Sequence, residues 1–215
     1  MNKIILISAL FCGITTSVYA GDWSEYRITI TNATAHQVIT PPLIAIHNNH
    51  FSLFTVGATA SNGLATLAET GDNTVLNAEI SGERSVYSTI AGADVIVYGQ
   101  SASFDFSAPK KARISLAAML ATTNDGFAGL NSVELPKQSE HYYAFAYDAG
   151  SEMNNESCAY IPGPPCAPDS GNSRTESGEG FISVHNGIHG GSDLNPKHLD
   201  WRGPVAVISI KRLRD

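Results

Sequence analysis

The chain has 215 residues, 43% hydrophobic and only 15% charged, with 13 Lys and Arg against 20 Asp and Glu for a formal net charge of −7. That balance leaves no broad basic surface for a nucleic-acid backbone or an anionic membrane, and it suits the binding of cations. The length beyond a short leader fits one large all-β domain better than two small ones.

At the N-terminus, Lys3 supplies a basic region, "IILISALFCGITT" an apolar stretch and "SVYA" the small residues of a cleavage site after Ala20. Residues 1–20 therefore read as a signal peptide, too short in its apolar part for a membrane-spanning anchor. Phe11 before Cys12 does not match a lipoprotein processing site. The expected product is an exported chain, 21–215, secreted or periplasmic.

Strand-type patterning follows. "EYRITIT" (25–31) alternates polar and apolar residues, as a half-buried strand does. Further strands are expected at 42–47, 51–56, 94–99, 102–107, 112–120, 141–147, 180–185 and 204–213, separated by clusters of Gly, Pro, Asn and Asp. "NGLATLAETGD" (62–72) has Leu64, Leu67 and Ala68 at helical spacing and Gly71 placed to end the helix. Eight or nine strands with one short helix and no βαβ rhythm predict an antiparallel β-sandwich. The segment 122–130, "TTNDGFAGL", reads as a turn between two strands. If those strands are neighbours, Asn124 and Asp125 reach the end of the sandwich occupied by Asp148.

The segment 148–179 is polar, acidic and without apolar period, a long connection of the kind that carries function. It begins "YDAGSEMNNE", with Asp148, Glu152, Asn154 and Glu156 as candidate oxygen ligands and Gly150 free to curl the backbone. The spacing is not that of an EF-hand. On composition alone the stretch is either a cation-holding loop or a solvated acidic turn. Cys158 and Cys166 follow in "CAYIPGPPC", and in an oxidising compartment they are expected to form a disulfide.

Farther on, "HNGIHGGSDLNPKH" offers His185, His189 and His198 beside Asp193. Imidazoles suit zinc or copper, and a metal-dependent exported enzyme using His185 or His189 is the alternative reading; ordinary polar loop histidines are the bland one. Neither a G-x-S-x-G elbow nor a phosphate-cradling glycine loop occurs, so the chain reads as a non-enzyme.

Three separated pieces then align with one family. "YRITITNATAHQVITPPLIAIHNNHFSLFTVGATASNGLATLAETGD", "DAGSEMNNE" with "IPGP", and "GGSDLNPKHLDWRGPVAVISIKRL" resemble, in order, the opening, middle and close of a bacterial-type spondin N-terminal (F-spondin) domain. The resemblance implies a C2-like β-sandwich that binds one Ca²⁺ at one end and acts in cell adhesion and matrix contacts. It assigns Asp148 and Glu152 as calcium ligands. Asp125 takes the place of a further aspartate, although Gly126 stands where the animal motif has an aromatic residue and Phe127 follows. Asn154 and Glu156 match the bacterial pattern only, and Ser151 replaces the usual threonine. Trp201, in the closing piece, is expected to pack in the core. The partner implied is a protein or a cell-surface or matrix glycan.

Overall fold

The computed structural model describes residues 23–166 and 177–214, so the expected signal peptide and its cleavage site lie outside the described residues. The elements in chain order are β1 (Trp23–Asn32), β2 (Leu43–His47), α1 (Asn62–Thr70), α2 (Thr74–Ile80), β3 (Val86–Ala91), β4 (Ser101–Pro109), β5 (Arg113–Met119), β6 (Gly126–Glu134), β7 (Ser139–Asp148), β8 (Ser183–Val184), α3 (Pro196–Leu199) and β9 (Ala206–Arg214). All strand pairings are antiparallel, in the order β3-β2-β5-β6-β7-β9-β1-β4, with β8 alongside β7. The fold is all-β, as expected.

One strand joins the two halves of this sheet. Residues 139–144 of β7 pair with β9, and residues 145–148 pair with β6. The sheet folds over at this change of partner, and its halves enclose the main core. Period-two alternation supplies the core residues: Tyr26, Ile28 and Ile30 from β1 and Ile208 and Ile210 from β9 meet Ile44, Ile46, Ile114 and Leu116 from the other half. Strand β2 is buried on both faces, because Leu43 and Ala45 point outward under α1 and α2. Those helices contribute Leu64, Leu67, Leu76 and Ile80 to this second layer. Ser61 caps α1 by accepting the Leu64 N–H, and Gly71, at φ 75°, ends it as predicted.

Several local expectations change. Residues 51–56 form no strand. The Asn131 side chain accepts the Leu53 N–H and donates to the Phe54 carbonyl and Ser52 hydroxyl, taking the place of a strand ladder. Phe54 then stacks over Phe127 and Tyr147, with ring centroids 5.2 and 4.8 Å away. Residues 94–99 contribute only the Ile96–Ile39 bridge, and 180–185 shortens to β8. Conversely, β3 and β6 are strands where none was expected, and α2 and α3 join the one helix foreseen. β6 was hidden by its glycines. A Cβ at Gly129 would lie 2.8 Å from atoms of Phe54 and Tyr147, so the missing side chain makes room for the aromatic layer. No described helix is long and apolar enough to cross a membrane.

Candidate functional site

The acidic loop and the 122–130 segment do meet. The β5–β6 connection is a tight buried turn in which the Thr123 hydroxyl donates to the Leu120 carbonyl and accepts the Gly126 N–H. A Cβ at Gly126 would come 2.7 Å from that hydroxyl, so glycine is required there. The turn delivers Asp125 to the start of β6, where Gly126 pairs with Asp148 at the end of β7 and the Ala149 N–H donates to the Asp125 carbonyl at 3.1 Å. Asp125, Asp148 and Glu152 are all buried, at 0%, 3% and 1% exposure. Three carboxylates at that depth are unusual for a chain in which most acids are solvated.

The Asp125 carboxylate is used unevenly. Its Oδ2 accepts the N–H groups of Ser151 and Glu152 at 2.7 and 2.9 Å and the Ser151 hydroxyl at 3.2 Å. Its Oδ1 is equally buried and has no hydrogen-bond partner among the described residues. Burial and then the charge of Asp148 push the Asp125 carboxyl up to about 7, against the pull of the bonds from Glu152 and Ser151. Burial likewise raises Asp148, whose Oδ1 accepts the Gly150 N–H at 2.6 Å and whose Oδ2 accepts the Asn154 side-chain amide. Gly150, at φ 68°, is confined on its outer side by the Phe181 backbone, 2.3 Å from where a Cβ would sit. The loop thus curls back over Asp125 with its N–H groups inward.

Two adjacent desolvated carboxylates repel when both are charged, and a hard cation relieves this. The unpartnered Asp125 Oδ1 is an acceptor with no donor, which fits a cation and not a further N–H. No three His, Cys, Asp or Glu side chains converge into a complete shell among the described residues. A cation held by Asp125 and Asp148 would draw its remaining oxygens from amide groups, backbone carbonyls or water. Asn154 presents its NH₂ to Asp148; turning its amide over would present the carbonyl oxygen instead.

Glu156 has a different task. At φ 56°, its carboxylate accepts three successive backbone N–H groups: His189 at 2.5 Å, and Gly190 and Gly191 both at 2.7 Å. It fastens the 187–193 loop to the acidic loop, and Asn124 ties the two turns by accepting the Glu156 N–H at 3.3 Å. The disulfide between Cys158 and Cys166 follows directly, as expected. Beside it Ile161, Ile188 and Leu194 form a small separate core against Leu199 and Trp201. Trp201 packs on both this core and the main one, the structural role foreseen for it. A cavity of about 180 Å³ between the loops is lined by Thr123, Asn124, Asp148, Asn154, Glu156 and His185.

His185 is buried against Trp201, with ring centroids 5.1 Å apart. Its Nδ1 accepts the Gly187 N–H at 3.0 Å, so the proton of the neutral ring sits on Nε2. Burial pushes its pKa down to about 4, with His189 lowering it further and Glu156 and Asp200 opposing. With one nitrogen accepting and the other protonated, the ring presents no free lone pair to zinc or copper. The alternative metal reading therefore gains nothing from this geometry.

Sequence reasoning passed over Thr123 and the Ser151 hydroxyl, which shape the site through hydrogen bonds. The Thr-x-x-Gly spacing of the turn was the available signal. A family model described as Spondin_N matches residues 18–154, well over half of the chain, and spans Asp125, Asp148, Glu152 and Asn154. No curated protein matches the chain.

Proposed function

The chain belongs to the Spondin_N family, a non-enzymatic domain family, and on that premise we propose that it is an exported calcium-binding module. Its output is binding, with a protein or a cell-surface or matrix glycan as partner. The observation that carries the calcium reading is the buried Asp125 Oδ1, without a hydrogen-bond partner, in a carboxylate pair with Asp148. Asp125 bridges the β5–β6 turn to the Ser151 and Glu152 backbone, and Asp148 fixes Gly150 and Asn154. Glu152 is buried in the same loop and is the third carboxylate assigned to the ion. Bound Ca²⁺ would supply positive charge that lets these carboxylates remain ionised side by side at neutral pH. The residues do the rest, holding the loop over the turn and presenting a fixed surface at this end of the sandwich.

Isothermal titration of the metal-free protein with CaCl₂ tests this. One site is expected in the wild type, and no measurable binding in Asp125→Asn/Asp148→Asn. Equal binding by the variant, or none by either protein, would sink the assignment.

A further inference from the structure

The composition argues against a broad basic surface, yet the fold collects cations at the end of the sandwich opposite the carboxylates. Lys110, Lys111 and Arg113 come from the β4–β5 turn and Lys137 from the β6–β7 loop. Lys211, Arg212 and Arg214 come from the end of β9, where Lys211 stands opposite Ser139 and Arg214 opposite Glu25. These residues account for about half of the 13 Lys and Arg in the whole chain.

Two clefts run through this end. A larger one, of about 970 Å³, lies between the β4–β5 turn and the β6–β7 loop. A smaller one, of about 420 Å³, reaches Lys211, Arg212 and Arg214. Both are lined by Lys137, Gln138 and Ser139, so they form one elongated trough. The cations along it differ from those elsewhere. Arg27, Arg113, Arg202 and Arg214 are each paired with a carboxylate. Exposed Lys111, Lys137 and Lys211 have no ion pair among the described residues. Like charges left unpaired around a concavity focus the field on an anion within it.

We propose that this trough binds a linear acidic polysaccharide, with Lys111, Lys137 and Lys211 meeting its carboxylate or sulfate groups. The neutral lining suits sugar hydroxyls: Asn48, Asn49, Gln138 and Ser139 offer donors and acceptors, and the Tyr87 ring, 43% exposed, offers an apolar face. Concavity disfavours a bilayer, which a protruding apolar and basic face engages. Duplex nucleic acid needs a longer positive track than these few lysines provide.

The test measures binding of the purified full-length exported chain to heparin, to polygalacturonate and to neutral dextran in 0.1 M NaCl. Duplex DNA and phosphatidylglycerol vesicles serve as competing polyanions. Binding to at least one acidic polysaccharide and not to dextran is expected, and heparin against polygalacturonate separates sulfate from carboxylate recognition. Lys111→Gln/Lys137→Gln/Lys211→Gln is expected to weaken it about tenfold or more and to flatten its salt dependence. The three exposed single variants, each weaker than wild type, give the same reading should the triple variant misfold. EGTA and Asp148→Asn leave the binding intact, because the calcium site lies at the other end; failure of either proposal is therefore separable. Absence of polysaccharide binding, binding unchanged by the lysine substitutions, or tighter capture by DNA or vesicles overturns the proposal.

Discussion

Asp125 is the residue on which the site turns. In the metal-free folded protein its carboxyl titrates near 7, against an ordinary value of 3.8. Between about pH 4 and 7 the folded state therefore holds a proton that the unfolded state has lost, and its stability falls as pH rises through that window. Asp125→Asn removes this ionisation. Measured in EGTA, the Tm of the variant relative to wild type should climb from pH 5 to 7.5; a difference that stays flat contradicts the burial of this group. Calcium binding displaces the same proton, so the apparent affinity should drop about tenfold per pH unit below pH 7. Glu156 differs in kind. Its carboxylate is committed to the N–H groups of His189, Gly190 and Gly191, and Glu156→Ala should lose roughly 2–4 kcal/mol of stability, as buried charge-assisted bonds do. Chemical denaturation reads that loss, and calcium titration of the folded variant should still show one site.

At the scale of elements, the strands with clean alternation were legible in the sequence. β1 and β9 bury alternate residues, and α1 carries its own start in Ser61 and stop in Gly71. What was not legible depended on partners distant in the chain. "FSLFTV" has strand composition, but the Asn131 side chain captures its backbone polar groups. "GFAGLNSVE" has turn composition, yet its glycines make room for Thr123 and for the Phe54 and Tyr147 rings. Gly129→Val should consequently cost roughly 1–3 kcal/mol by overpacking, seen as a lower midpoint in urea. The acidic loop was legible as a cluster, whereas its closure over Asp125 required the β6–β7 pairing. The disulfide closes a short loop, with a sequence separation of 8. In the chain-entropy account Cys158→Ser/Cys166→Ser should lose about 2–3 kcal/mol. Thermal unfolding of the variant checks this, and an unchanged Tm would mean the Ile161–Ile188–Leu194 core holds the loop unaided.

Across the whole molecule, one strand organises both halves of the fold. β7 begins beside β9, near the lysine-lined trough, and ends at Asp148, so it links a cationic end to an anionic one. A net charge of −7 conceals that separation, because a sum over composition carries no information about position. The main core lies between the ends and keeps them at a fixed distance, so the two proposed sites can be tested independently. The central claim is the calcium site, and thermal unfolding of the metal-free protein with and without Ca²⁺ tests it most directly. A ligand that binds only the folded state, present at about 100 times its Kd, stabilises by about 2.7 kcal/mol, or roughly 5–10 °C for a domain of this size. The account predicts that rise in the wild type, its reversal by EGTA, and its loss in Asp125→Asn/Asp148→Asn. A wild-type Tm indifferent to saturating Ca²⁺, or an equal rise in the variant, would contradict it.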